Sequence, residues 1–235
     1  MDLLEGLAED PPSAAIFLDV DGVLAPIVSR PEDARVPDET RAELRRLNGR
    51  YGLVACISGR SGDTARAIVG VPELTYVGNH GLELEPEAAE WTERLEEFLA
   101  GVEWPELEDK GLTAALHYRN VSDERGARAE LEKIAERARE ARFVARFGRK
   151  VLELVPPLEA NKGTALRRLL AEHGLERALF AGDDTTDLDA FRALEGLELA
   201  VRVAVGTDEG PPELREAADL IVASPEEVLS LLRRL

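Results

Sequence analysis

The chain has 235 residues, and 47 acidic against 29 basic side chains give it a formal charge of −18 at pH 7. This balance argues against a nucleic-acid partner, because binding a phosphate backbone needs a concentrated basic face. At 44% hydrophobic the chain can bury a substantial core, yet no apolar run approaches the roughly 20 residues that a membrane-spanning helix needs. We expect a globular protein that binds neither nucleic acid nor membrane, and an N-terminus without signal-peptide features favours a cytoplasmic location.

Short apolar strands alternate with helices at both ends of the chain. The first part predicts strands from Ala14, over 52–58 and over 74–77, with helices over 38–50 and 61–69. The pattern resumes after residue 159 with a helix closed by Gly174, a strand over 178–182, a helix over 186–194, strands over 198–206 and 220–223, and a terminal helix. The alternation predicts an α/β fold with a Rossmann-like parallel-sheet core, in which ligands bind at the carboxyl ends of the strands.

The middle of the chain follows a different pattern. Helical segments over 87–101 and 123–140 alternate there with a strand over 112–119 and two strands near 143–147 and 150–155, which we expect to form a hairpin turned at Gly148. The predicted organisation is a discontinuous core, residues 1–82 and 159–235, with an inserted α+β cap over 83–158. The loops at 78–81 and 155–161 are the expected linkers.

Four polar groups fall at the ends of predicted core strands or at the start of the following helix. They are Asp19-Val20-Asp21-Gly22, Ser58-Gly59-Arg60, Lys162 at a helix start, and the acidic run Gly182–Asp187. A hydroxyl and exposed backbone N–H groups at a helix start can hold an anion. Three carboxylates within five positions repel one another unless a cation is present, and oxygen ligands of this kind suit Mg²⁺. Taken singly, each group also fits a solvated turn, a surface lysine or an acidic helix start.

In this order, the carboxylate pair, hydroxyl, lysine and acid cluster resemble the motifs of the haloacid dehalogenase-like phosphotransferases, over essentially the whole chain. Finer details are similar to the trehalose-6-phosphate phosphatases. The fourth motif of that family, G-D-D-x-T-D followed by an acid and Phe, matches Gly182, Asp183, Asp184, Thr186, Asp187, Asp189 and Phe191. Its G-x-H-G turn matches residues 78–81. The family's motifs in the middle stretch match Glu108, Lys110, His117-Tyr118-Arg119, Arg149, Lys150, Glu153 and Pro156.

The resemblance implies a phosphatase that removes phosphate from trehalose 6-phosphate through an aspartyl-phosphate intermediate. Asp19 would be the nucleophile and Asp21 the general acid and base. Mg²⁺ would be held by the carboxylates of Asp19 and Asp183 and the backbone carbonyl of Asp21. Asp184 and Asp187 would lie behind these ligands, with Asp187 steadying the metal's water shell or Lys162. Phosphate would be bound by Lys162, Ser58, Gly59 and Gly22.

The cap would then be a lid that closes over the cleft and recognises the sugar. Its expected sugar-binding residues are Glu108, Lys110, Arg119, Arg149, Lys150 and Glu153. The same residues also fit an exposed sheet face with solvated ion pairs. A small-molecule sugar phosphate is the expected partner, and the resemblance suggests functional pairing with a trehalose-6-phosphate synthase.

Two other interpretations stay open. The chain could act on another phosphate ester, such as sucrose 6-phosphate, mannosyl-3-phosphoglycerate or a phosphoglycolate-like molecule. It could also be a non-catalytic binding module, like the phosphatase-like domains attached to some trehalose-6-phosphate synthases. Val23, which replaces the usual Thr of the first motif and removes its hydroxyl, is the one feature that points to such a module. The presence of Asp19, Asp21, Lys162 and Asp183 favours an enzyme.

Overall fold

A computed structural model describes residues 3–28, 30–206 and 210–235. The described chain divides into two compact units. The first, here called the core unit, is the chain up to Gly81 together with Ala160–Leu235, and the second, the inserted unit, is Leu82–Glu159. These limits lie one residue outside the predicted cap boundaries at 83 and 158. Among the described residues, no helix combines the length and the apolar character needed to cross a bilayer.

The strands are numbered in chain order. They are β1 (Ala14–Leu18), β2 (Leu53–Ile57), β3 (Thr75–Val77), β4 (Leu107–Asp109), β5 (Ala114–His117), β6 (Val144–Gly148), β7 (Val151–Val155), β8 (Arg177–Gly182), β9 (Leu199–Val205) and β10 (Leu220–Val222). The helices are α1 (Leu3–Glu9), α2 (Asp38–Asn48), α3 (Gly62–Val69), α4 (Ala88–Leu99), α5 (Glu124–Glu140), α6 (Lys162–His173), α7 (Leu188–Ala193), α8 (Pro212–Glu216) and α9 (Pro225–Leu232).

The core unit contains a parallel sheet with the strand order β10-β9-β8-β1-β2-β3, which confirms the predicted α/β class. Every residue of β1 and β2 is buried, as expected for strands covered by helices on both faces of a sheet. Leu18, the last residue of β1, pairs with Cys56 on β2 and Ala181 on β8. The chain continues to β2 on one side of β1 and returns through β8 on the other, so a ligand crevice is expected at the carboxyl end of β1.

The inserted unit is built on an antiparallel sheet with the order β4-β5-β7-β6. One face is apolar: Leu116, Leu152 and Leu154 lie on it and are fully buried, whereas Glu153, between the last two, points to the other face and is exposed. An aromatic contact adds to the apolar interior of this unit: the rings of Trp91 on α4 and Phe143 pack edge to face with centroids 5.2 Å apart. The unit therefore has a core of its own.

Three short elements, α1, β4 and α8, were not predicted from the sequence. Elements of three to seven residues span too few periods for a hydrophobic pattern to show. The predicted hairpin of β6 and β7 is present, but its turn is not at Gly148, which pairs with Val151 inside the ladder. The turn is Arg149-Lys150, where Lys150 adopts a positive φ of 61°. The prediction failed because it assigned the turn to glycine, the residue that usually supplies this conformation.

Candidate active site

The centre of the site is a buried aspartate at the end of β1. Asp19 is 6% exposed, and its Oδ1 accepts a hydrogen bond from the Val20 N–H at 2.7 Å. Its Oδ2 lies 2.5 Å from Lys162 Nζ. Lys162 is the first residue of α6, and that helix start is fixed by a capping box in which Asn161 and Thr164 exchange side-chain and backbone hydrogen bonds. The fold thus joins an acid and a base that lie 143 residues apart in sequence.

A second buried acid, Asp187, also forms an ion pair with Lys162. Asp187 is fully buried, and its Oδ1 lies 2.5 Å from Lys162 Nζ. Its Oδ2 accepts hydrogen bonds from the N–H groups of Asp183 at 2.9 Å and Asp184 at 3.0 Å. A Cβ at Gly182 would overlap the Asp187 side chain, so only glycine fits there. Asp187 therefore orders the loop after β8 and holds Lys162 at the same time.

Three carboxylates converge closely enough to bind one cation. Asp19, Asp183 and Asp187 each offer an oxygen atom, and these atoms lie within 4.8 Å of one another. Three ionised carboxylates and the single ammonium of Lys162 leave a net charge of −2, which one divalent cation would neutralise. An all-oxygen donor set of this kind suits a hard ion such as Mg²⁺. Asp187, predicted to lie behind the metal ligands, is close to them, and its two oxygens already accept hydrogen bonds from Lys162 and from the loop after β8. Asp21 was predicted to contribute its backbone carbonyl rather than its carboxylate, and this stays a prediction.

The same charge density perturbs the acids themselves. Burial raises the pKa of Asp19 to about 7; Lys162 opposes this effect and Asp187 adds to it. Burial, followed by the charges of Asp19 and Asp187, raises the pKa of Asp183 to about 8. Burial alone would lower the pKa of Lys162, but its two carboxylate neighbours raise it. Burial and like charge therefore favour the protonated forms of Asp19 and Asp183, and further positive charge in the cluster would favour their ionised forms.

Asp21 has a partner of its own. Its Oδ2 lies 2.6 Å from Arg60 Nε and its Oδ1 lies 2.7 Å from Arg60 Nη2, a bidentate ion pair. Gly22 next to it has a φ of 73°, and a Cβ at this position would overlap the Asp183 carboxylate. Gly22 was predicted to bind phosphate, and its N–H donates to the Ala25 carbonyl at 2.8 Å. Gly22 therefore allows two loops to approach closely, and its N–H is already used.

One open cavity of about 420 Å³ brings together most of the site residues predicted in the core unit. It is lined by Asp19, Asp21, Ile27, Gly59, His80, Lys162, Asp183, Asp184 and Thr186. Ser58 does not line it: this residue is buried, and its Oγ accepts the Arg60 N–H at 3.2 Å. Three lining residues were not predicted, namely Ile27, His80 and Thr186. His80 had a signal in its G-x-H-G turn, and its ring packs against Gly59, where a Cβ would overlap it.

The inserted unit brings some of its predicted residues together and separates others. Glu108 Oε2 lies 3.7 Å from Lys110 Nζ and 3.2 Å from His117 Nε2. The strand register places Glu108, Ala115, Glu153 and Arg146 in one row across the sheet, on the face opposite the buried leucines. Arg146 was not predicted.

The basic residues of the β6–β7 turn do not join this group. Lys150 Nζ lies 2.5 Å from Glu124 Oε1 at the start of α5, so this lysine is held by the helix. Arg119 and Arg149 are exposed. The predicted sugar-binding residues therefore include one ion-paired group at Glu108, while Lys150 has a partner that the sequence analysis did not identify.

Comparison with known proteins gives a consistent result. Residues 17–225 match the family model described as Trehalose-phosphatase. The chain is 33% identical to the probable trehalose-phosphate phosphatase G of Arabidopsis thaliana over 77% of its own length and 58% of the relative's. It is 35% identical to the trehalose-phosphate phosphatase of Mycobacterium avium over 82% and 54% of the two lengths. It is 32% identical to the probable trehalose-phosphate phosphatase 9 of Oryza sativa over 94% of its own length and 69% of the relative's. The chain thus spans little more than half the length of the first and second of these relatives.

Solved structures agree with the fold. Trehalose-6-phosphate phosphatase of Aspergillus fumigatus is 27% identical, covers 98% of this chain and 94% of its own, and superposes with a TM-score of 0.63. A haloacid dehalogenase-like hydrolase from Bacteroides thetaiotaomicron, 18% identical, covers 94% and 98% with a TM-score of 0.62. At that identity the second likeness shows the fold alone.

Proposed function

The chain belongs to the trehalose-phosphatase family, and we propose that it is a Mg²⁺-dependent phosphatase that converts trehalose 6-phosphate to trehalose and phosphate. The observation that carries the proposal is the contact of Asp19 with Lys162 beside Asp183 and Asp187 at the carboxyl end of β1. A nucleophile, a fixed positive charge and a cation-binding group are the parts that phosphoryl transfer needs. The similarity to trehalose-phosphate phosphatases supports trehalose 6-phosphate as the substrate.

In the first half-reaction, an oxygen of Asp19 forms a bond to phosphorus while the bond from phosphorus to the sugar oxygen breaks. Asp21 gives its proton to that departing oxygen, so trehalose leaves as a neutral alcohol and Asp19 carries the phosphoryl group. Lys162 lies against Asp19 and supplies positive charge where the transferring group spreads its negative charge. Splitting the hydrolysis into two displacements makes each step easier.

In the second half-reaction, the carboxylate of Asp21 takes a proton from a water molecule as the water oxygen attacks phosphorus. The bond between phosphorus and Asp19 breaks, which restores the Asp19 carboxylate and releases inorganic phosphate. The proton now on Asp21 serves the next cycle. Gly59, which lines the cavity, is proposed to bind a phosphoryl oxygen with Lys162, whereas Gly22 has already used its N–H. Ser58 accepts the Arg60 N–H but still has its hydroxyl proton to donate, so it stays a predicted phosphate contact.

The carboxylates of Asp19 and Asp183 would hold Mg²⁺, with the backbone carbonyl of Asp21 as a further predicted ligand. Asp187, whose oxygens already accept hydrogen bonds from Lys162 and the loop after β8, would add negative charge behind these ligands. When bound, Mg²⁺ neutralises charge so that a phosphate anion can approach the carboxylates. When ionised, the carboxylates of Asp19, Asp183 and Asp187 together with the Lys162 ammonium have a net charge of −2, and this charge favours the binding of a divalent cation.

We assign sugar recognition to the inserted unit. Glu108 accepts hydrogen bonds and Lys110 and His117 can donate them, which suits the hydroxyl groups of a disaccharide. Glu153, with Arg146 beside it in the row, extends this polar face. A functional pairing with a trehalose-6-phosphate synthase and a cytoplasmic location stay predictions.

The test is Mg²⁺-dependent phosphate release from trehalose 6-phosphate, sucrose 6-phosphate, glucose 6-phosphate and mannosyl-3-phosphoglycerate. We expect a preference for trehalose 6-phosphate, no turnover by Asp19→Asn, and normal turnover by Asp63→Asn, an exposed aspartate on α3. Glu108→Gln should raise KM for trehalose 6-phosphate and leave hydrolysis of p-nitrophenyl phosphate unchanged. Preference for another ester would overturn the sugar assignment, and a chain inactive on every ester would be a binding module.

A further inference from the structure

Arg60 connects several separate parts of the candidate active site. Its guanidinium holds both carboxylate oxygens of Asp21, and its Nη1 donates to the Pro31 carbonyl at 3.1 Å. Its backbone N–H donates to Ser58 Oγ at 3.2 Å, and its carbonyl accepts from the Asn79 N–H at 2.7 Å. The arginine is thus fixed through its backbone and through all three nitrogens of its guanidinium group.

The bidentate geometry restricts Asp21 more than a single contact would. Two parallel N–H···O bonds fix the plane of a carboxylate as well as its position, a match that the rigid fork of arginine makes and lysine does not. Each carboxylate oxygen has two lone pairs, so Asp21 keeps one on each oxygen, which can accept the proton of a water or carry the proton that it gives to the sugar oxygen. The side chain of Arg60 is 17% exposed and that of Asp21 is 39% exposed. The guanidinium group therefore lies deeper than the Asp21 carboxylate, which lines the cavity.

We propose that Arg60 is the positioning residue for Asp21: it holds the plane of the carboxylate so that the outward lone pairs face the reacting oxygen. The inference rests on the proposed function, in which Asp21 acts in both half-reactions. Loss of the arginine leaves the catalytic groups in place and removes the orientation of one of them. Misplacement of a catalytic group by about 1 Å costs on the order of 100-fold in rate, so we expect kcat to fall by about 10- to 100-fold with little change in KM.

The experiment uses two substrates, because they differ in their need for Asp21. The sugar oxygen of trehalose 6-phosphate must be protonated as it leaves, whereas nitrophenolate leaves without a proton. In Arg60→Ala, turnover of trehalose 6-phosphate should fall, while the first-turnover burst of nitrophenolate from p-nitrophenyl phosphate keeps its rate and its later steady state slows. Adding Arg60→Ala to Asp21→Asn should change the burst rate and the steady-state rate by less than about twofold, because a residue that acts only through Asp21 has no further effect once that carboxylate is gone.

Several outcomes would overturn the assignment. A rise in KM at unchanged kcat would mean that Arg60 binds substrate directly. A double variant slower than Asp21→Asn by the full Arg60→Ala factor would mean an independent structural role. Arg60→Lys, which keeps the charge, should restore only part of kcat, and full restoration would exclude the bidentate geometry. If Arg60→Ala fails to fold by circular dichroism, Arg60→Lys carries the same comparison.

Failure of this inference is distinguishable from failure of the proposed function. A wild-type chain that does not hydrolyse trehalose 6-phosphate contradicts the proposed function, and the p-nitrophenyl phosphate cycle then still tests Arg60. A wild-type chain that is active together with an Arg60→Ala variant of normal kcat contradicts only the role of the arginine.

Discussion

Replacing Asp183 by Asn tests the charge balance of the acidic cluster. Without a bound cation, burial and the neighbouring acids raise the pKa of this carboxyl from 3.8 to about 8. A group whose pKa is raised in the folded state contributes stability at low pH, and that contribution is lost as the pH rises through the folded pKa. For Asp183 the two pKa values give a loss of up to about 5 kcal/mol at pH 7.5 and about 2 kcal/mol at pH 5.5.

The metal-free wild-type protein should therefore be less stable at pH 7.5 than at pH 5.5. Asp183→Asn keeps the size of the side chain and removes its charge, so we expect it to exceed the wild type in unfolding free energy at pH 7.5 and by less at pH 5.5. Urea unfolding in EDTA, followed by circular dichroism at the two pH values, measures the unfolding free energy of the wild type and of Asp183→Asn. Added Mg²⁺ should stabilise the wild type more at pH 7.5 than at pH 5.5, and should stabilise Asp183→Asn little. A ligand that binds only the folded state adds stability that grows with the logarithm of its concentration divided by its Kd, so weak binding adds little.

Asp63→Asn is the matched control, since it removes the same charge from an exposed position on α3. It should leave both the pH dependence and the Mg²⁺ effect at wild-type values. The reasoning is refuted if the metal-free wild type is equally stable at the two pH values, or if Mg²⁺ stabilises Asp183→Asn as strongly as the wild type.

Three further substitutions have distinct expected effects. Gly22→Ala should abolish activity and destabilise the fold more than Gly174→Ala. Both glycines have a positive φ, but only a Cβ at Gly22 would overlap Asp183. Thermal unfolding of the two variants measures the difference, and equal losses of stability would contradict this reasoning. Lys162→Met leaves two buried carboxylates without their ammonium, so the metal-free unfolding free energy at pH 7.5 should fall by about 3–5 kcal/mol. A smaller fall at pH 5.5, where protons can replace the lost charge, would support this cause. Val23→Thr places a hydroxyl in a fully buried apolar cluster, so its unfolding free energy in urea should be lower than that of the wild type by about 1–3 kcal/mol, with no rise in kcat. A large gain in kcat would show that the wild-type site lacks a catalytically useful hydroxyl at this position.

Much of the core unit could be predicted from local patterns. The strands β1, β2 and β8 are apolar runs bounded by Gly, Pro or acidic residues, and such runs are typical of buried parallel strands. Because parallel strands end at one edge of a sheet, the residues that follow them were expected to meet, and Asp19 and Asp183 do. Short elements such as β4 escaped prediction because three residues carry no period, and Ile27 had no chemical signal that would place it at the cavity.

The sequence by itself determined which residue types stand at the strand ends, and therefore that an anion, a cation and a nucleophile could be handled there. Only the tertiary structure decided the pairs: Asp21 with Arg60, 39 residues away, Lys162 between two acids, and Lys150 with Glu124. The physical reason is that a residue's type limits what it can bond, whereas its actual partner depends on the distance between loops that folding brings together from remote parts of the chain.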